Sequence, residues 1–295
     1  MPARPSSSRL WRAPAKVNLT LHVLGRRADG WHELDSVVAF ADCCDWLRFE
    51  PAASLSLIVD GPTAPAAGAL EDNLVMRAAR ALAERAPGLR IGRFHLRKAL
   101  PVAAGLGGGS ADAAAALRAL AHENGLAGDD ERLWAAARAV GADVPACLRP
   151  SARVMAGLGE KLGPALDAPP LFAVLANPGI PVATPDVFAK LGLARGASSG
   201  WGPSPRIGAG VDSAGFVAAL RNGRNDLQAS AVRIAPGVAD ALAALSRAQG
   251  AALARMSGSG ATCFALFADR CLAARAACAV QRAHPAWWVR ATTLR

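Results

Sequence analysis

The stretch LPVAAGLGGGSADAAAALRAL, residues 100–120, carries a glycine cluster that runs directly into an alanine-rich helix pattern. Gly105 and Gly107–Gly109 lack the Cβ atoms that would keep a phosphate away from the backbone. The backbone N–H groups of the following helical turn lie at the positive end of the helix dipole, so the stretch predicts a polyphosphate site. We expect Ser110 to cap this helix and Asp112 to lie in its first turn.

Two better-known phosphate loops fit the same stretch poorly. A Walker A loop requires Lys and then Ser or Thr after its last glycine, whereas Gly109 is followed by Ser-Ala-Asp. A dinucleotide-binding loop follows a strand directly, but here Pro101 intervenes and Ser110 stands where the third glycine belongs. A flexible turn between two domains is the alternative that the residues alone leave open.

The composition is that of a globular protein with an excess of positive charge. Of 295 residues, 52% are hydrophobic and 19% are charged, and no apolar run reaches the roughly 18–20 residues of a membrane span. The formal charge is +10, but the arginines are scattered and form no basic stripe interleaved with aromatic residues. We therefore predict a small polyanionic partner, with neither nucleic acid nor a membrane as partner. The sequence does not indicate an oligomeric state.

The cysteines and the N-terminus bear on the cellular compartment. The six cysteines include no CxxC pair, and several stand among apolar residues, as in ATCFALF, 261–267. This usage predicts buried, reduced thiols and a cytoplasmic protein. The basic N-terminus lacks the apolar core of a secretion signal, which agrees with that prediction. The dispersed histidines predict no metal site made of protein ligands.

Strand and helix patterns alternate irregularly along the chain. This mixture favours an α+β protein over a doubly wound sheet, and the pattern starts afresh after about residue 152. We therefore predict two domains, 1–152 and 153–295, and a mobile surface loop at 192–210. Strands are predicted at 16–25, 54–61, 92–100, 170–179, 251–256, 261–267 and 286–294, and helices at 73–86, 110–120, 130–141, 235–245 and 268–284.

Three stretches together resemble the GHMP kinases. PVAAGLGGGSA fits the nucleotide loop of that family, Pro-x-x-x-Gly-Leu-Gly-[Ser/Gly]-[Ser/Gly]-Ser-Ala. APAKVNLTLHVLGRRADGWHEL (13–34) resembles the N-terminal motif, and RMSGSGATCFALF (255–267) resembles the C-terminal glycine motif. The resemblance implies the two-domain GHMP kinase fold, with an N-terminal domain like the second domain of ribosomal protein S5 and a ferredoxin-like C-terminal domain. It also implies ATP as phosphoryl donor, bound by Pro101, Val102, Ala103, Ala104, Gly105, Leu106, Gly107, Gly108, Gly109, Ser110 and Ala111.

Shorter stretches narrow the resemblance within the family. APAKVNL, RADGWHEL, GADVP and NDL resemble the members that phosphorylate a small alcohol carrying a cytidine diphosphate group. Homoserine, mevalonate or a sugar is the alternative acceptor, against which DGWHEL argues, because a base-binding aromatic–histidine pair has no purpose there. A non-catalytic nucleotide sensor or a basic nucleic-acid binder is the alternative of another class. The presence of both Lys16 and Asp143 argues against it.

Asp143 and Lys16 are the candidate catalytic residues. Asp143 in GADVP follows a predicted helix end, and a carboxylate there suits removal of the acceptor's proton; a turn or capping aspartate is the alternative that the residues alone leave open. Lys16 would need an anionic partner if half-buried, but it could also face water from a strand edge. The resemblance implies that Asp143 is catalytic and that Lys16 pairs with it near the acceptor hydroxyl, which keeps the carboxylate ionised.

The candidate substrate contacts follow from what a cytidine group needs. Asn18 lies on the same strand face as the candidate catalytic lysine and would hydrogen-bond the substrate. Trp31 offers a stacking face and His32 a partner for the base edge, although members of the family usually have Tyr at the Trp31 position. Phe188 would cover the other face of the base, with Thr184 nearby; a plain core phenylalanine is the alternative.

ATP chemistry implies Mg²⁺, yet no pair of acidic residues stands out as its ligands. Ser110 is available, and we expect phosphates and water to hold most of the ion. The SGSG stretch, 257–260, is predicted to close over the phosphates or the substrate, and a simple hairpin turn is its alternative.

Overall fold

The computed structural model describes residues 9–295, and the expectations that concern residues 1–8 lie outside it. Its strands are β1 (Leu10–Asn18), β2 (His22–Arg26), β3 (His32–Pro51), β4 (Ser56–Asp60), β5 (Gly92–Arg97), β6 (Arg153–Gly157), β7 (Lys161–Ala165), β8 (Leu171–Asn177), β9 (Ala251–Met256), β10 (Cys263–Phe267) and β11 (Trp288–Leu294). Its α-helices are α1 (Leu74–Arg85), α2 (Gly108–Glu123), α3 (Glu131–Val140), α4 (Val144–Leu148), α5 (Thr184–Ala189), α6 (Ser213–Arg221), α7 (Gln228–Ile234), α8 (Gly237–Ser246) and α9 (Arg270–Ala283). The predicted mixture of helices and strands is confirmed.

Helix capping places several elements where the sequence predicts them. The Asn73 side chain accepts a hydrogen bond from the N–H of Val75 and so begins α1. Asp130 caps α3 in the same way by accepting from the N–H of Arg132, and Gly141 follows the last residue of that helix. These caps satisfy N–H groups that the helices themselves leave without acceptors.

Helix α2 begins earlier than predicted. Its N-cap is Gly107, whose φ of +60° lies in the left-handed region that glycine adopts readily. Ser110 therefore lies within the first turn, and Asp112 lies beyond it. The prediction that Ser110 caps the helix and that Asp112 stands in its first turn is wrong, because the glycine makes the backbone turn without a side-chain cap.

The strand predicted at 16–25 is two strands. The chain leaves the ladder after Asn18, where the N–H of Leu19 donates to the carbonyl of Val37 and that of Leu21 donates to the carbonyl of Arg224. The long strand β3 was not predicted. Its residues 36–41 are all buried, so the stretch lacks the alternation of a half-buried strand.

The described chain forms two compact units, and each is built from separate stretches. Unit 1 contains the described residues up to Ala15 together with Cys44–Val102 and Gly107–Pro150. Unit 2 contains the remaining stretches, which are Lys16–Cys43, Ala103–Leu106 and Ser151–Arg295. The division into domains 1–152 and 153–295 stays a prediction.

Unit 1 combines a small sheet with a helical layer. Strand β5 pairs in parallel with β4 and antiparallel with the last part of β3, through Trp46–Pro51. Helix α1 packs against α2 and α3, and α4 packs against α2. Helix α2 is buried along most of its length, because its alanine side chains let the neighbouring helices approach closely.

Unit 2 is built around an antiparallel sheet with the strand order β11-β8-β10-β9. Helices α8 and α9 pack against this sheet. The core between them includes Val174, Val238, Ala265 and Val280. The first part of β3 pairs with β2 and β6 in the same unit, and β6 pairs with β7.

The loop at 192–210 is fixed by hydrogen bonds at several points, although much of it is exposed. The N–H of Arg26 donates to the carbonyl of Ala197 at 2.8 Å. The N–H of Ser204 donates to Asp35 Oδ1 at 2.9 Å. The segment thus has a defined path over unit 2, which its Gly/Ser/Pro-rich composition did not predict.

The cysteine prediction is partly wrong. Cys147 and Cys263 are buried as expected, but Cys271 and Cys278 are exposed on the outer face of α9. Among residues 9–295, no helix combines the length and the apolarity needed to cross a membrane.

Candidate active site

Residues 103–106 of the glycine loop are held by backbone hydrogen bonds within unit 2. The N–H of Lys16, near the end of β1, donates to the carbonyl of Leu106 at 2.8 Å. The N–H of Thr262, just before β10, donates to the carbonyl of Ala104 at 3.1 Å. The candidate catalytic lysine is therefore tied through its own backbone to the candidate nucleotide loop.

Gly105 forms the closest approach in this part of the loop. Its φ is +75°, and a Cβ atom placed there would clash with the carbonyl oxygen of Ser257. Ser257 Oγ donates to the carbonyl of Gly105 at 2.8 Å and accepts from the N–H of Asn18 at 3.0 Å. One buried hydroxyl thus links the first glycine motif, the N-terminal motif and the SGSG stretch.

The SGSG stretch is the turn between β9 and β10, as its simpler interpretation predicts. The N–H of Gly260 donates to the carbonyl of Ser257 at 3.0 Å. Asn225 lies just before α7. Its side-chain amide donates to the carbonyls of Met256 and Gly258 at 2.8 and 2.9 Å, which braces the turn. Sequence reasoning missed the bracing role of Asn225, although this residue begins NDL (225–227), one of the stretches that carried the resemblance.

The first turn of α2 in unit 1 offers the predicted anion site. The N–H of Ala111 donates to the carbonyl of Gly107 at 2.9 Å, so the helical hydrogen bonds start there. The N–H groups of Gly108, Gly109 and Ser110 precede that bond and have no acceptor within the helix. Together with the dipole of a 16-residue helix, they suit the oxygens of a polyphosphate.

A buried charge cluster that the sequence reasoning missed lies beside this turn. Lys98 Nζ donates to Asp45 Oδ2 and, at 2.6 Å, to Asp112 Oδ2. The other Asp45 oxygen accepts from the N–H groups of Ala99 and Leu100 at 2.5 and 2.8 Å. All three side chains are buried, and a buried charge requires a partner. In the sequence, Asp112 is the member that stands out, as a lone carboxylate in an alanine-rich stretch.

The cluster shifts the pKa values of its members. Burial raises the pKa of Asp112 to about 7 even though the charge of Lys98 lowers it, and the second carboxylate, Asp45, raises it further. Burial opposes the charge on Lys98, but the two carboxylates outweigh it and raise the Lys98 pKa. Asp112 Oδ1 is buried and has no hydrogen-bond partner in the described part of the chain.

The structure decides between the alternatives for Lys16 and bears on those for Asp143. Lys16 is only 5% exposed, so the interpretation as a lysine facing water from a strand edge is wrong. Asp143 occupies the N-cap position of α4, but its side chain makes no capping hydrogen bond to that helix. The carboxylate is half-buried and held by a backbone that Pro145 restricts.

The candidate substrate residues all lie in unit 2. Two of them contact each other, and a third contacts the SGSG turn. The rings of His32 and Phe188 stack with centroids 4.7 Å apart. Thr184 Oγ1 lies 2.7 Å from Ser259 Oγ, in the SGSG turn. The Trp31 side chain is 65% exposed, as a stacking surface that awaits a partner would be.

His32 and Asn18 differ in how their polar atoms are satisfied. His32 Nε2 is buried and has no hydrogen-bond partner among the described residues. Burial, helped by the positive charge of Arg26, lowers the His32 pKa, which favours the neutral ring. The Asn18 amide instead donates to Ser36 Oγ at 2.7 Å, so one of its donors is already used inside the protein.

No group of three or more His, Cys, Asp or Glu side chains within residues 9–295 could hold a metal ion. Near the first turn of α2, the side chains that could contact an ion associated with phosphates are the Ser110 hydroxyl and the carboxylate of Asp112. Asp112 is bound to Lys98 through Oδ2, and its Oδ1 has no hydrogen-bond partner among the described residues.

Comparison with known proteins identifies the class. The family model of the GHMP kinase N-terminal domain matches residues 73–150, and the model of the GHMP kinase C-terminal domain matches residues 216–286. The chain belongs to the GHMP kinase family, whose members are phosphotransferases that use ATP as the phosphoryl donor.

The chain is similar over nearly its full length to one kind of GHMP kinase. Over 285 residues the chain is 60% identical to the 4-diphosphocytidyl-2-C-methyl-D-erythritol kinase of Methylobacterium radiotolerans, which covers 96% of this chain and 98% of that protein. A crystal structure of 4-(cytidine 5'-diphospho)-2C-methyl-D-erythritol kinase matches with a TM-score of 0.75 at 35% identity, over 97% of this chain and 99% of that one. A homoserine kinase from Cytophaga hutchinsonii, with a TM-score of 0.65 at 19% identity over 99% of this chain and 96% of that one, shares the fold.

Proposed function

We propose that the chain transfers the γ-phosphoryl group of ATP to the 2-hydroxyl of 4-diphosphocytidyl-2-C-methyl-D-erythritol, giving the 2-phosphate and ADP. This reaction belongs to isoprenoid precursor biosynthesis by the methylerythritol phosphate pathway. The observation that carries the proposal is the 60% identity to a kinase of that substrate over nearly the full length of both chains. The buried, unsatisfied Nε2 of His32 supports recognition of a base, and the glycine loop at the start of α2 supports binding of a polyphosphate.

The donor half of the reaction depends on positioning and charge compensation. The N–H groups that begin α2 would bind the phosphates. The Ser257 hydroxyl braces the loop backbone at Gly105. Mg²⁺, when bound, neutralises charge on the phosphate oxygens; Ser110 is the side chain we propose as its contact, with phosphates and water as the remaining ligands.

The acceptor half requires that the 2-hydroxyl lose its proton as the phosphoryl group arrives. Asp143 is the proposed group that accepts this proton, because it is a half-buried carboxylate at the start of α4, where Pro145 restricts the backbone. A lysine as deeply buried as Lys16 is stable only among anions, so we assign it to the negative charge that develops on the acceptor oxygen.

Recognition of cytosine is assigned to the residues around His32. A neutral imidazole with an unsatisfied buried Nε2 gains one hydrogen bond from the edge of the base, and would penalise a ligand that lacks that edge. Trp31 would stack on the base, with Phe188 and Thr184 contributing contacts and Asn18 bonding the substrate through its remaining capacity.

We also propose a cytoplasmic enzyme whose partners are small molecules and not nucleic acid. Two exposed cysteines, Cys271 and Cys278, suit a reducing compartment, and no basic stripe with interleaved aromatic residues is evident in the sequence.

The test of the proposal is ATP-dependent phosphorylation of 4-diphosphocytidyl-2-C-methyl-D-erythritol by the wild type and by Asp143→Asn. We expect turnover by the wild type and a loss of about 10²-fold or more in kcat for the variant, the typical contribution of a positioned base. Asp130→Asn, which removes a capping carboxylate from α3 in the same unit, is the matched control and should retain kcat. Equal kcat in both variants would remove Asp143 from the mechanism, and no turnover by a wild type that still binds ATP would favour the sensor alternative.

A further inference from the structure

A pocket in unit 1 plays no part in the proposed reaction. Its volume is about 270 Å³, and it lies between the start of β1, the later turns of α2, and helices α3 and α4. Three arginines line it, Arg9, Arg118 and Arg149, together with Trp11 and His122. The rest of the wall is formed by Ala121, Leu126, Gly128, Leu133 and Leu148.

The described residues that line this pocket carry positive charge and include no carboxylate. The acidic side chains at the start of α3 are engaged with arginines outside the pocket: Asp130 pairs with Arg132, and Glu131 pairs with Arg138. A cavity with several guanidinium groups and no carboxylate attracts a small anion.

Arg118 supplies the donor that most requires such a ligand. Its terminal nitrogen donates to the carbonyl of Arg12 at 2.5 Å, but its Nε is buried and has no hydrogen-bond partner within residues 9–295. A buried donor without an acceptor destabilises the folded state, and native proteins satisfy nearly all such groups. Burial lowers the Arg118 pKa, Cys147 acts in the opposite direction, and the positive charge of Arg9 lowers the pKa as well. A bound anion would offset the repulsion between the two arginines.

Aromatic contacts hold the other cations at the pocket. The Arg9 guanidinium lies 4.3 Å from the centroid of the Trp11 ring, and Trp11 meets His122 edge-on at 5.6 Å. The Arg149 guanidinium lies 5.6 Å from the Trp134 ring. Cation–π contacts of this kind fix the direction of a guanidinium group, whose fork of N–H donors matches phosphate oxygens.

We propose that this pocket binds a small organic phosphate or diphosphate, with its oxygens on the arginines and its apolar part against Trp11 and the leucines. The volume is slightly below the roughly 300–1,000 Å³ of sites for drug-sized ligands, which suits one phosphate-bearing small molecule. The site is independent of the proposed kinase reaction, because none of its lining residues has a role in that reaction.

The test is calorimetric titration of the full chain with phenyl phosphate and with inorganic phosphate. A non-hydrolysable ATP analogue is present at saturation, so that the nucleotide site is already filled. We expect one phenyl phosphate per chain, bound more tightly than inorganic phosphate, and about tenfold weaker binding to Arg118→Gln. Arg138→Gln removes an arginine from α3 outside the pocket and should bind within about twofold of the wild type. These margins reflect the strength of a charge-assisted hydrogen bond.

Arg9→Gln provides a second variant should Arg118→Gln fail to fold, since Arg9 is exposed and near the start of the described chain. It should weaken phenyl phosphate binding as well. Absence of binding to the wild type, or equal binding to the wild type and to both pocket variants, would overturn the proposal. Because the readout is binding with the nucleotide site filled, a failure here is separate from a failure of the kinase assignment.

Discussion

Gly105 shows what a single missing side chain does for the nucleotide loop. Its positive φ disfavours any other residue, and its contact with the Ser257 carbonyl leaves no space for a Cβ atom. In Gly105→Ala we expect the loop to shift, the KM for ATP to rise severalfold, and the protein to lose more than the roughly 1–2 kcal/mol that positive φ alone costs an alanine. Steady-state kinetics and urea unfolding measure these effects.

Gly179→Ala is the control for that prediction. Gly179 also has a φ of +75°, but a Cβ atom there would contact nothing within 4 Å. It should show the backbone cost alone, with the KM for ATP unchanged. If both variants lost the same free energy of unfolding, the close packing of Gly105 against Ser257 would contribute nothing to stability.

Asp112 makes the free energy of unfolding depend on pH. Because burial raises its pKa from the ordinary 3.8 to about 7, the folded state keeps a proton that the unfolded state releases. The stability from this group is fully present below about pH 4 and declines as the pH rises to about 7. Relative to Asp112→Asn, the wild type should therefore lose up to about 1.4 kcal/mol of unfolding free energy per pH unit between about pH 5 and 7.

Urea unfolding of both proteins at several pH values measures that slope. The exposed Asp72→Asn, in the same unit, serves as control and should run parallel to the wild type. A constant difference between the wild type and Asp112→Asn across this range would contradict the raised pKa.

At the scale of elements, Asn225 holds the β9–β10 turn. Its amide donates to the carbonyls of Met256 and Gly258, and its Oδ1 accepts from the N–H of Leu227. Asn225→Ala leaves these buried groups without partners, which costs about 1–3 kcal/mol for each group. We therefore expect the free energy of unfolding to fall by at least about 2 kcal/mol and the KM for ATP to rise. Thermal and urea unfolding measure the first effect. The exposed Asn222→Ala should leave both quantities unchanged, and a similarly mild result for Asn225→Ala would contradict the bracing role.

Elements with strong local signals could be predicted from the sequence, and those set by distant contacts could not. Asn73 and Asp130 begin α1 and α3 as predicted, because capping is a local interaction. The first half of strand β3 was missed because residues 36–41 are all buried, which removes the alternation of a half-buried strand. The Lys98 cluster was missed because its three members come from different parts of the chain. The candidate loop was found since its glycines are consecutive, whereas the hydroxyl of Ser257 that positions it lies far away in sequence.

At the scale of the whole molecule, the formal charge of +10 should assist two polyanionic substrates. We expect the kcat/KM for both to fall as the ionic strength rises from about 0.05 M to about 0.5 M, because the Debye length shortens over that range. The value of kcat at saturation should change little, since bound substrates no longer depend on attraction from a distance. Steady-state kinetics at fixed Mg²⁺ checks this, and a salt-independent kcat/KM would show that the net charge has no part in binding.

The central claim is that this GHMP kinase acts on the cytidyl substrate. The most direct measurement is the kcat/KM of the wild type for 4-diphosphocytidyl-2-C-methyl-D-erythritol, mevalonate and homoserine under one set of conditions. We predict turnover of the cytidyl substrate alone, with His32→Leu raising the KM for that substrate and leaving the KM for ATP unchanged. Efficient phosphorylation of mevalonate or homoserine would contradict the account of His32 and the acceptor, while leaving the fold and the family in place.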